Sequence, residues 1–183
     1  MSDLRARVGE VALRSPIMTA AGTSGYGDEL AGYGDLAALG AVVTKSLAAY
    51  PWAGNPAPRV AAWGEHMLNA VGLSGPGVRA WREQELVGLR ARGATVVASL
   101  WGRSVADYAA AIEQMSGADV VAIEVNVSCP NLEDRSRMFA HSASATADVV
   151  RACRRADVPL WVKLSPNTPD LVEIAGAALD AGA

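Results

Sequence analysis

Ala122-Ile123-Glu124-Val125-Asn126-Val127-Ser128-Cys129-Pro130-Asn131 reads as a strand that ends in polar chemistry. A short, mostly apolar run suits a strand covered on both faces, as in a parallel sheet. It releases Asn126, then a cysteine in a turn stiffened by Pro130, then Asn131. The same arrangement recurs outward along the chain. Strands are expected over 17–21, 41–45, 95–100, 119–127 and 159–164. Helices are expected over 29–39, 78–92, 105–115 behind a Ser104 cap, and 145–156. A last helix should start at Thr168-Pro169 and line Leu171, Ile174, Ala175, Ala178 and Leu179 along one face. Residues 48–76, rich in Pro, Gly and Trp, read as irregular.

Five strand–helix units in order predict a parallel sheet with right-handed crossovers. Two architectures compete: an open doubly wound sheet and a (β/α)8 TIM barrel. Gly22-Thr23-Ser24-Gly25 after the first strand does not match the G-x-G-x-x-G phosphate fingerprint of the open sheet. Polar residues sit instead at the C-terminal ends of successive strands: Gly22 and Thr23, Lys45 and Ser46, Ser99, Asn126 and Cys129, and Lys163. In a barrel those ends converge on one mouth, where active sites form. The α/β barrel is therefore the expected fold. A complete barrel takes about 250 residues. The 183 residues here hold about the first five units, so the chain reads as the N-terminal part of a single barrel domain. An independently folded half-barrel is the alternative.

Composition narrows the class. Hydrophobic residues make up 51% and charged residues 19%, which excludes a disordered chain. A net charge of −3 with no basic block points away from nucleic acid. No apolar run is long enough for a membrane span, and residues 1–11 lack the apolar stretch of a secretory signal. Two cysteines give neither a disulfide framework nor zinc-ligand spacing, and they suit a reducing cytoplasm. His66 and His141 are isolated, so no metal is expected. Of the 16 basic residues only Lys45 and Lys163 are lysines. In so Arg-biased a chain, each lysine suggests a site that needs a compact ammonium where a guanidinium does not fit.

Among the candidates, Asn126 and Asn131 offer paired donors and acceptors for amides, carboxylates or heterocycles. Cys129, in a polar turn, can act as base or nucleophile if its pKa is tuned. Cys153, within a helix, reads as inert and buried. Glu124, inside the strand rather than at its end, reads as structural. Trp101, at the end of its strand, is packing by default but could border a planar ligand.

Together these residues resemble the dihydroorotate dehydrogenase family, class 1, and within it the type B members. The pieces are Ser15-Pro16-Ile17, Ala21-Gly22, Lys45-Ser46, Gly54-Asn55-Pro56-Ala57-Pro58-Arg59, residues 67–73, residues 126–131 and residues 162–167. The resemblance implies a TIM barrel holding FMN at its mouth and oxidation of dihydroorotate to orotate in pyrimidine biosynthesis. Hydride passes to the flavin while a base removes the neighbouring carbon-bound proton. It makes Cys129 that base, since membrane-bound class 2 enzymes carry serine there. Lys45, Asn69, Gly72, Leu73, Asn126 and Asn131 would hold substrate. Ala21, Gly22, Thr23, Lys45, Ser46, Ser99, Asn126 and Lys163 would line the cofactor. Type B relatives pass electrons to NAD through an iron–sulfur flavoprotein subunit and type A relatives to fumarate; the sequence leaves the acceptor and a homodimer open.

Three features depart from the family pattern. Ser99 stands where many relatives have a flavin-contacting Asn. Residues 132–140 are charged where the family has a Gly-Gly run before Phe-Gly, which opens the choice of another dihydropyrimidine substrate. The later strands that supply the flavin phosphate site are missing, which leaves a non-catalytic barrel fragment as a further alternative.

Overall fold

The computed structural model describes residues 4–128 and 138–183. The central sheet has four parallel strands: β3 (Val42–Val43), β6 (Val96–Leu100), β7 (Ala122–Asn126) and β8 (Leu160–Lys163). Each pairs with the next in chain order. A parallel bridge from Met18 to Ala41 adds the first segment at the β3 edge. A doubly wound sheet reverses its strand order at a switch point. This sheet does not reverse, so it winds as five consecutive segments of an α/β barrel. Two antiparallel hairpins stand outside it: β1 (Ala6–Val8) with β2 (Val11–Leu13), and β4 (Val60–Trp63) with β5 (His66–Asn69).

Every residue of β6 is buried, as expected of a central parallel strand. Its outer face packs against α1 (Val78–Ala91) and α2 (Val105–Met115) through Trp81, Leu89, Tyr108 and Ile112. The inner face forms a second apolar layer. There Val43, Val97 and Ala122 meet Val11 and Leu13 of the first hairpin, with Trp161 packed against them. Two residues further along the strands this inner face turns polar, at Ser99, Glu124 and Lys163. The interior is therefore apolar below and polar at the C-terminal ends.

The helices start where local chemistry allows. Ser104 and Asp107 form a capping box on α2, each side chain accepting the other's backbone N–H at 3.2 Å. Ser142 caps α3 (Ala143–Cys153) by accepting from Ala145 N at 3.2 Å. The last helix, α4 (Leu171–Ala181), begins later than Thr168-Pro169. The Thr168 hydroxyl instead accepts from Asp170 N at 3.3 Å, a local turn that competes with the helix. Its buried face is Ile174, Ala178 and Ala181, and Leu179 is exposed.

Other expectations are corrected. The strand over 17–21 reduces to its single bridge, with Ile17 62% exposed. The helix over 29–39 is two 3-10 turns, Glu29–Gly32 and Leu36–Ala38, divided around Tyr33-Gly34-Asp35. The helix over 145–156 starts two residues earlier and ends at Cys153. The stretch 48–76 holds the β4–β5 hairpin, whose eight residues are all exposed.

Candidate active site

A β-bulge sets up the mouth. Val42 pairs with Val96, and Leu47 pairs with Leu100. The chain takes five steps on one strand and four on its partner, so one residue is extra. Thr44 N donates to Val97 O at 3.0 Å, and the next such bond is Leu47 N to Ser99 O at 2.8 Å. The extra residue lets Ser46 share the inner face with Ser99, their hydroxyls 2.8 Å apart. Lys45 is freed to reach elsewhere. Its ammonium donates to Ser74 O at 2.9 Å and to Ser74 Oγ at 3.3 Å, and lies 5.0 Å from the centre of the Tyr26 ring. Burial lowers the Lys45 pKa, and the positive charge of Arg59 lowers it further.

These ends enclose a cavity of about 280 Å3, lined by Ala21, Gly22, Lys45, Ser46, Asn69, Val71, Gly72, Leu73, Asn126, Ser128 and Lys163. A larger cleft of about 750 Å3 lies at the other end of β8, against Val8, Trp161 and Leu179. Its walls are mainly aliphatic and aromatic. The smaller cavity holds both lysines and two asparagines, so chemistry rather than size selects it.

The loop after β5 supplies one wall under visible constraint. Gly72 has φ +73°, and a Cβ there would stand 2.6 Å from Asn55 N. Leu73 follows with φ +60°, a left-handed conformation that a branched residue adopts only when its surroundings impose it. Trp52 imposes it in part, donating from Nε1 to Gly72 O at 2.9 Å, while Asn55 N donates to Val71 O at 3.1 Å. Replacing Gly72 with Ala is expected to destabilise the protein by about 1–3 kcal/mol, from strain and the backbone clash. Thermal unfolding measures this; an unchanged midpoint would show that the loop adapts freely.

Most of the expected site residues meet here. Ala21, Gly22, Lys45, Ser46, Asn69, Gly72, Leu73, Asn126 and Lys163 all line the cavity. Thr23 does not: its hydroxyl turns back to Ala20 O at 2.7 Å and the residue is exposed. Ser99 is fully buried beneath the cavity and reaches it only through Ser46. Trp101 is buried against Trp52, ring centres 6.0 Å apart, rather than bordering the opening. Cys129 and Asn131 lie outside the described residues. Cys153 is buried, which pushes its thiol pKa up to about 12 and keeps it protonated. Val71 and Ser128 are additional lining residues. Ser128 was legible as the next same-face position after Asn126.

The donor set suits a flavin ring. Two ammoniums, an amide and a hydroxyl match the carbonyl and nitrogen edge of such a heterocycle. Gly22, with φ +91° and open space where a Cβ would stand, leaves room that any side chain would fill.

Comparison with known proteins agrees with this geometry. The pattern of the family described as "Dihydroorotate dehydrogenase" matches residues 3–183. The chain is 41% identical over 182 residues to "Dihydroorotate dehydrogenase B (NAD(+)), catalytic subunit" of Alkaliphilus oremlandii, covering 99% of this chain and 60% of that protein. It is 42% identical over 183 residues to the protein of the same name from Geotalea uraniireducens, again 99% of this chain and 60% of the relative. The chain thus spans 60% of the length of these curated relatives. A match across nearly every residue, together with a parallel barrel sheet whose strand ends carry the expected lysines and asparagines, places the chain in the dihydroorotate dehydrogenase family.

Proposed function

We propose that this chain is the N-terminal part of a single FMN-binding barrel domain that oxidises dihydroorotate to orotate in pyrimidine biosynthesis. The observation that carries this reading is the convergence of Lys45, Asn69, Asn126 and Lys163 on one cavity at the strand ends. FMN, when bound, supplies the hydride acceptor. Ala21, Gly22, Ser46 and Lys163 hold its ring, and Ser99 supports Ser46 from beneath. Asn69, Asn126 and Asn131 read the cyclic amide of the substrate through hydrogen bonds of their side-chain amides. Lys45 places a positive charge between substrate and cofactor. Cys129 takes the carbon-bound proton beside the departing hydride.

The relatives' printed name supports NAD as the final acceptor and a partner subunit, and an iron–sulfur flavoprotein as that partner belongs to the same proposal. No helix among the described residues is long and apolar enough to cross a membrane, and a cytoplasmic location belongs to the same proposal. The test is turnover of the complete polypeptide, loaded with FMN, on dihydroorotate and on dihydrouracil. Oxidation of dihydroorotate is expected. Preference for dihydrouracil would reassign the substrate, and failure to take up FMN would sink the reading.

A further inference from the structure

Four polar side chains, two lining the cavity and two beneath it, are joined end to end across three segments of the sheet. The Ser99 hydroxyl donates to Glu124 Oε1 at 2.7 Å. Ser99 Oγ and Ser46 Oγ are 2.8 Å apart. Asn126 Nδ2 donates to Ser46 Oγ at 2.9 Å. Ser46, Ser99 and Asn126 are all buried, at 3%, 0% and 5% exposure, so water cannot repair a broken link.

The chain has one consistent direction. Ser99 Oγ donates to Glu124 Oε1, which spends its single proton. Ser99 must then accept from Ser46. Ser46 has spent its proton and can only accept from the Asn126 amide. At the far end the Ser128 backbone N–H and its hydroxyl both reach Asn126 Oδ1 at 3.1 Å. A backbone N–H only donates, so both ends demand the same amide orientation. The Asn126 oxygen is then fully engaged, and one of its two N–H groups remains for the cavity.

We propose that Glu124 is a positioning residue that, through Ser99 and Ser46, holds Asn126 so that it offers the bound ring a single N–H donor. The inference rests on the reading of Asn126 as a ligand-binding residue. It makes Asn126 a reader of a ring carbonyl oxygen and not of a ring N–H. Glu124, set two residues deeper on the same face of β7, serves the site without touching it.

The test is the affinity for orotate, read from the change in flavin absorbance of the complete polypeptide loaded with FMN, without turnover. Asn126→Ala should weaken binding. Glu124→Leu, which removes the terminal acceptor, should weaken it about fivefold, the worth of one net hydrogen bond. Glu124→Gln should stay within about twofold, because its amide oxygen still accepts from Ser99. Ser99→Ala breaks the same chain at a different strand and tests the link should Glu124→Leu fail to fold. In an Asn126→Ala background, Glu124→Leu should have no further effect on affinity, whereas a merely structural role would add to the loss. Wild-type affinity in both Glu124→Leu and Ser99→Ala, with Asn126→Ala impaired, overturns this inference and leaves the proposed function standing. Wild-type affinity in Asn126→Ala overturns the reading on which it rests.

Discussion

Replacing Cys129 with Ala should slow the bleaching of the flavin by dihydroorotate about 10²–10⁴-fold, the usual contribution of a positioned general base. A carbon-bound proton is a poor acid, so its removal in step with hydride loss needs a base close by. The only other cysteine, Cys153, is buried with its thiol held protonated by its surroundings. Among the described residues, neither histidine lines the cavity, and the lining contains lysines, asparagines and serines but no carboxylate. Ser128, the sequence neighbour of Cys129, does line it. Cys129→Ser separates the thiol from the space it fills. A serine hydroxyl holds its proton far more tightly than a thiol, so this variant should also be slow. Orotate affinity should change by less than about threefold in both, since neither removes a donor or acceptor assigned to the ring. Full-speed bleaching in Cys129→Ser would remove Cys129 from the role of base.

How much of this was legible in the sequence depends on where each residue's partners lie. Strands β6 and β7 could be read because burial on both faces forces an apolar run, and β8, partly buried along its length, carries a similar run. The segment at 17–21 carries the same kind of run, yet it makes a single bridge on one side only. The β4–β5 hairpin was missed for the opposite reason. Both of its faces are exposed, so no alternation of buried and exposed positions marks it. The bulge at Lys45-Ser46 has no signature in composition, because one extra residue is defined only against the partner strand. It nevertheless decides that Ser46 faces inward.

The site was legible at its rarest residues. Lys45 and Lys163 stood out in an Arg-rich chain, and both line the cavity. Thr23 stands outside the cavity lining, because position after a strand does not tell which way a loop turns. Glu124 read as structural because its partner Ser99 lies 25 residues away in sequence. The link between them becomes visible only when β6 and β7 are paired, setting Ser99 opposite Glu124.

Lys45→Ala should cost about 10²–10³ in the same bleaching rate, comparable to the loss of one preorganised donor at a developing charge. The ammonium is held before any ligand arrives, by Ser74 O at 2.9 Å and by the face of Tyr26. Burial has already removed part of its water, and Arg59 adds a second positive charge, so both lower its pKa. A cation in that state gains more from an incoming anion than a solvated surface lysine does. The pH dependence follows in sign. As pH rises through the lowered Lys45 pKa the charge is lost, so the rate should fall before the ordinary lysine range is reached. Lys45→Arg keeps the charge throughout that range but should not restore the rate. A planar guanidinium cannot reproduce a compact ammonium seated between Ser74 and the Tyr26 ring. An Arg variant as fast as the wild type would show that charge alone suffices, and that the scarcity of lysine elsewhere in the chain says nothing about this position. An Ala variant within about threefold of the wild type would remove the cation from the mechanism altogether.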